Sequence, residues 1–155
     1  EAIDPDLPVT GISRHDVDAY IQWRRERDNL PWRLPSGNEW QVAVQGGDGR
    51  RFPWGNLHDA AMCYSYTAAP TTSGLVELPV GSFPGDRSLH GVFDLAGSVA
   101  ELVDESWFDH EGVSVARGGS FTDREGHRFS FAARRAVDNR LPLNSVGFRL
   151  AMDAD

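Results

Sequence analysis

Apolar positions recur at helical spacing in only two stretches of the chain. In the first, Ser13 precedes a run in which Val17, Tyr20, Ile21 and Arg24 share one face, with Asp16 three residues after Ser13 in capping-box spacing. A helix is predicted from that cap, ending in the solvated run Arg24-Arg25-Glu26-Arg27-Asp28. In the second, Ser36-Gly37-Asn38-Glu39 repeats the box and puts Trp40, Ala43 and Val44 on a buried side, with Gly46-Gly47 as the stop. Residues 1–12 carry Pro5, Pro8 and Gly11 and read as an extended lead-in.

Beyond Arg50 the period changes. Short apolar pieces such as Phe52-Pro53-Trp54-Gly55 and Leu78-Pro79-Val80-Gly81 are punctuated by turn residues. Four later segments are predicted as strands: Val99 to Val103, Val113 to Arg117, Phe129 to Arg134 and Val146 to Met152. The third rests on alternation of Phe129, Phe131 and Ala133 with Ser130, Ala132 and Arg134.

The 155 residues suit a single domain spanning 1–155, and 40% hydrophobic with 25% charged residues is an ordinary globular balance. With 16 Gly, 9 Pro and 5 Trp, the fold expected is α+β, with two helices, short strands and much irregular loop. A net charge of -8 argues against nucleic acid and anionic membranes as partners. Cys63 is the single cysteine, so no internal disulfide forms, and with no signal or membrane-length apolar run a cytoplasmic setting is favoured. The first residue is Glu1 rather than Met, and the chain is read as part of a larger multidomain protein.

No nucleophile elbow, phosphate loop or dinucleotide fingerprint is present, and the five histidines show no i, i+4 pair. Gly46-Gly47-Asp48-Gly49 follows a helix rather than opening one, so it reads as a turn. Arg117, Arg134, Arg135 and Arg149 read either as sheet-end ion pairs or as a platform for an anionic ligand.

Four motifs stand in a distinctive order: Arg33-Leu34-Pro35-Ser36-Gly37-Asn38-Glu39-Trp40; Phe52-Pro53-Trp54-Gly55-Asn56; Gly91-Val92-Phe93-Asp94-Leu95-Ala96-Gly97-Ser98-Val99-Ala100-Glu101; and Arg117-Gly118-Gly119-Ser120-Phe121 with Gly147-Phe148-Arg149-Leu150. Together they resemble the formylglycine-generating-enzyme (sulfatase-modifying-factor) family, whose fold is a variant of the C-type lectin domain. The resemblance runs from about Val9 to Met152 and covers the C-terminal two-thirds of the family domain, without its N-terminal strands.

The resemblance implies specific chemistry. Catalytic family members hold copper with two cysteines between the last two motifs; here the first falls on Asp123 and the second near Gly126 or His127. Cu(I) requires soft thiolates, so no copper and no oxidase activity are expected. The tryptophans usual after the glycine turn are replaced by Ala100 and Leu102. The family also wraps a structural calcium, which implies Asp94 and Glu101 side chains with the carbonyls of Gly97 and Val99 as ligands here.

The function expected is a non-catalytic recognition module that binds a protein or small molecule through the C-terminal loop face, with Phe121, Asp123, Arg124, His127, Arg135 and Asn139 as contacts. The resemblance extends to sensor domains attached to bacterial signalling proteins such as Ser/Thr kinases. It extends also to variable proteins of diversity-generating retroelements, which diversify this same interval. Adenine-directed mutagenesis of Asn codons yields no Lys, Gln, Glu, Met or Trp, and between Phe121 and Asn144 only Glu125 belongs to that set. The alternative is a metal-dependent oxidase of the sulfatase-modifying-factor or sulfoxide-synthase type, completed by another chain or domain.

Overall fold

The computed structural model describes residues 4–69 and 75–153. Helix α1 spans Arg14–Asp28 and helix α2 spans Gly37–Gln45; both open on capping boxes. Ser13 Oγ accepts from the Asp16 amide at 3.2 Å while the Ser13 amide donates to Asp16 Oδ2 at 2.8 Å, and Ser36 with Glu39 repeats the exchange. Each pair satisfies two orphan amides of a first turn. Asn29, left-handed at φ 53°, ends α1, and Gly46 ends α2.

Four strands follow: β1 Ala100–Ser106, β2 Val113–Arg117, β3 Arg135–Asp138 and β4 Val146–Phe148. They form one sheet in the order β3-β2-β1-β4, antiparallel except for the parallel β1–β4 pair. β1 is buried on both faces, which is why its Ala100-Glu101-Leu102-Val103 run does not alternate. Leu102 and Ala116 pack with Val17 and Ile21 of α1, whereas Val103 and Val115 pack with Trp40 and Val44 of α2. The sheet is therefore clasped between the two helices, each fully buried aliphatic contributing about 1.5–3 kcal/mol. Beyond it, loops build two smaller cores: Phe52, Cys63, Ala96 and Phe129, and Tyr64, Val99 and Phe121.

Three expectations need correction. On α1 only Val17 and Ile21 are buried; Tyr20 is exposed and meets Trp23 and Phe148 at the rim. The stretch from Phe129 to Arg134 is not a strand: a 3₁₀ turn covers Gly126–Phe129 and the strand begins only at Arg135. The alternation there is real but serves two cores, because Phe129 joins Cys63 while Phe131 packs beside Trp40. The last strand stops at Phe148, with Ala151 bridging separately to Arg33.

Candidate functional site

The turn after β2 is held by close backbone approach. Gly118 (φ 95°) and Gly119 (φ 71°) adopt conformations that L side chains resist, and a Cβ on Gly118 would lie 2.8 Å from the Leu95 carbonyl oxygen. Ser120 follows, its amide and hydroxyl both donating to Asp123 Oδ2 at 2.9 and 2.8 Å. Arg135 pairs with that same carboxylate. Asp123, where a copper-ligand cysteine would fall, thus closes a turn and offers no thiolate. Phe121 is buried at 6% exposure and stacks on Tyr64 with centroids 5.8 Å apart, so it belongs to the core and not to an exposed ligand face.

The other loop residues divide. Arg124 and His127 are exposed, and Asp123 and Arg135 are half-buried. Arg124 lies over the Tyr66 ring, 3.5 Å from its centroid. Asn139 stands apart, lining a groove of about 430 Å³ beside the β1–β2 hairpin with Asp104 and His110. The sheet-end arginines all form ion pairs: Arg117 and Arg134 with Glu105, Arg135 with Asp123, Arg149 with Glu101. Ala100 and Leu102, in place of the tryptophans, fill the α1 core.

On the side facing Pro8 and Val80, a groove of about 550 Å³ is lined by Asp94, Val99, Glu101, Phe148 and Arg149. It brings together three of the four expected calcium positions. The fourth, Gly97, is buried just behind, where a Cβ would lie 2.5 Å from the Tyr64 carbonyl oxygen. Glu101 accepts from the Trp40 indole at 2.8 Å and from Arg149 Nε at 2.6 Å. Arg149 Nη2 also donates to the Phe93 carbonyl at 3.0 Å. Asp94 Oδ2 accepts from the Gly81 amide at 2.7 Å.

Sequence reasoning missed Asp86, one residue after Pro84-Gly85, which reads as a surface turn. It is buried at 1% exposure; its Oδ2 accepts from the Ala96 amide at 2.9 Å, while Oδ1 has no partner. Burial, reinforced by the negative charges of Asp94 and Glu101, pushes its carboxyl up to about 7. Burial likewise raises Asp94. Asp86, Asp94 and Glu101 are near enough to feel one another's charge, Arg149 pairs with Glu101, and Asp86 Oδ1 has no partner. A divalent cation here would have to compete with Arg149 and Trp40 for Glu101. Among the described residues no three acidic, histidine or cysteine side chains converge, so such an ion would draw on backbone carbonyls as well as on Asp94 and Glu101.

Cys63 is fully buried among Phe52, Ala96 and Phe129, and desolvation pushes its thiol well above the ordinary range. No helix among the described residues is long and apolar enough to cross a membrane.

Comparison with known proteins agrees with this geometry. The model of the sulfatase-modifying factor enzyme 1-like domain matches residues 1–154. The chain is 30% identical to the mouse inactive C-alpha-formylglycine-generating enzyme 2, over 96% of the chain and 50% of that protein. It is equally 30% identical to a formylglycine-generating enzyme of Streptomyces coelicolor, over 97% of the chain and 54% of that enzyme. The chain thus spans about half the length of these relatives. A shorter stretch, 67% of the chain, is 31% identical to 14% of the Chlamydia trachomatis serine/threonine-protein kinase Pkn1. Among solved structures, PvdO from Pseudomonas aeruginosa superposes with a TM-score of 0.80 at 22% identity, over 97% of the chain and 63% of that structure. Treponema denticola variable protein 1 gives 0.78 at 17%, over 94% and 70%. The chain belongs to the sulfatase-modifying factor enzyme 1-like family and has its C-type-lectin-like α+β fold.

Proposed function

We propose that this chain is a non-catalytic recognition module whose ligand face is the exposed part of the C-terminal loop, Arg124 and His127 with the rims of Asp123 and Arg135. The observation that carries the reading is the fate of Asp123. At the position of a catalytic thiolate stands a carboxylate already engaged by Ser120 and Arg135, and the one thiol of the chain, Cys63, is enclosed in a core. Copper-dependent oxidation needs accessible soft ligands, and the loop presents none. A relative named inactive is consistent with such a role. The kinase relative supports placing the module within a longer signalling chain. The likeness to a variable protein is in fold, and a retroelement origin for the loop remains part of this proposal.

Calcium belongs to the same reading as a structural ion. Asp94 and Glu101, with the carbonyls of Gly97 and Val99, would hold it, and it would neutralise the acidic cluster rather than enter chemistry.

Incubated with copper, oxygen and a cysteine-containing peptide, the purified chain is expected to yield no formylglycine by mass spectrometry. Appearance of the aldehyde would overturn the non-catalytic reading in favour of an oxidase. In a thermal-shift screen of small molecules, a stabilising compound should lose its effect in Arg124→Ala or His127→Ala but keep it in Asn139→Ala.

A further inference from the structure

We infer that the loop face recognises an oxyanion, a carboxylate or a phosphoryl group on a small ligand, through Arg51, Arg124 and Arg128 around the 3₁₀ turn Gly126–Phe129. This rests on the loop face being the ligand surface and assigns its ligand class. In a chain of net charge -8, ten of the fifteen arginines have a carboxylate partner. Among the described residues five form no such pair: Arg25, Arg51, Arg87, Arg124 and Arg128. Arg25, on α1, donates to the Trp32 carbonyl beyond the helix end, and Arg87 lies over Phe93. The remaining three lie along one turn: Arg124 precedes it, Arg128 is in it, and Arg51, whose guanidinium lies over Phe52, meets the residues just after it through its backbone carbonyl.

The backbone ties all three segments to the turn. The Arg51 carbonyl accepts from the Phe131 amide at 2.9 Å, and the Arg128 amide donates to Glu125 at 2.9 Å to wind the turn. Tyr66 donates its amide to the Asp123 carbonyl at 3.1 Å, which sets its ring beneath Arg124. A guanidinium held flat on a ring presents its N–H edge outward, the arrangement that receives a planar carboxylate or a phosphoryl face. Arg128 Nε is shielded from solvent and has no acceptor, a donor for which the protein supplies no partner. His58 packs against the turn at Gly126, where a Cβ would lie 2.8 Å from its ring, and His127 is exposed on the turn itself. The acids nearby in sequence, Asp59 and Glu125, are exposed and pair with none of the three arginines. They limit the site to a small ligand and disfavour a polyanion.

The test titrates the full chain with inorganic phosphate and, separately, with succinate, by calorimetry at low salt. Saturable binding of either anion is expected, phosphate alone identifying a phosphoryl ligand and succinate alone a carboxylate. Arg124→Gln and Arg128→Gln should each weaken it about tenfold. Arg87→Gln, which removes an unpaired charge elsewhere, should leave it unchanged. Arg128→Lys keeps the charge, so if Arg128→Gln fails to fold, retention of binding by the lysine variant decides. Absence of anion binding by the parent, or equal weakening in Arg87→Gln, overturns the inference. If neither anion binds while a neutral compound from the screen depends on Arg124, the loop face stands and only its anion preference falls.

Discussion

Calcium in excess is expected to raise the melting temperature relative to EGTA. The groove wall offers the Asp94 and Glu101 carboxylates beside buried Asp86, with Arg149 as the single counter-charge. An ion that binds only the folded state adds about 2.7 kcal/mol at roughly a hundredfold over its dissociation constant. For a domain of this size that is a rise of roughly 5–10 °C. Asp94→Ala removes the half-exposed ligand without touching the Trp40–Glu101–Arg149 contacts, so the variant should fold and melt alike in both buffers. Glu101 is the poorer target, since its removal strips partners from a buried indole and a guanidinium. If parent and variant each give identical curves with calcium and with EGTA, the ion has no place in this fold.

In calcium-free buffer, Asp86→Asn should make the protein more stable at pH 8 and remove part of its pH dependence. The Asp86 carboxyl rises from 3.8 to about 7 on folding, chiefly through burial. Above 3.8 the unfolded chain releases this proton while the folded chain holds it. Stability contributed by the group is therefore full below 3.8, declines as pH climbs toward 7, and is lost above it. The shift corresponds to a fall on the order of 4 kcal/mol. Asparagine keeps an oxygen for the Ala96 amide and cannot ionise, so the slope between pH 4 and 7 should flatten. Urea denaturation at pH 5 and pH 8 compares the two, and curves that stay parallel would exclude Asp86 as the source.

Both predictions turn on residues that the sequence reveals unequally. The helices are legible because caps and spacing are local: Ser13 with Asp16 and Ser36 with Glu39 act within one turn. The β1–β2 pair is legible because its apolar run has no other home than between two helices. Phe121 misled because burial by loops leaves no period, and Phe129 to Arg134 because its alternation serves two separate cores instead of a strand of the sheet. Phe121 finds its stacking partner Tyr64 57 positions earlier in the chain, and no pattern near Phe121 encodes that. Asp86 is harder still. An aspartate after Pro-Gly reads as a solvated turn residue, and only the fold of the Asp94–Ala96 turn over it places its carboxyl in the interior.

The burial of Cys63 gives the molecule a built-in chemical clock. Its sulfur sits behind Phe52, Ala96 and Phe129 with its proton held tightly, so a thiol reagent added to the native protein finds no thiolate at the surface. Alkylation must wait for these loops to part. When reclosing outruns alkylation, the labelling rate counts how often the chain opens at this point, and its ratio to the rate for a free thiol gives the free energy of that opening. Because the chain has only this cysteine, the signal comes from a single place, with no engineered probe.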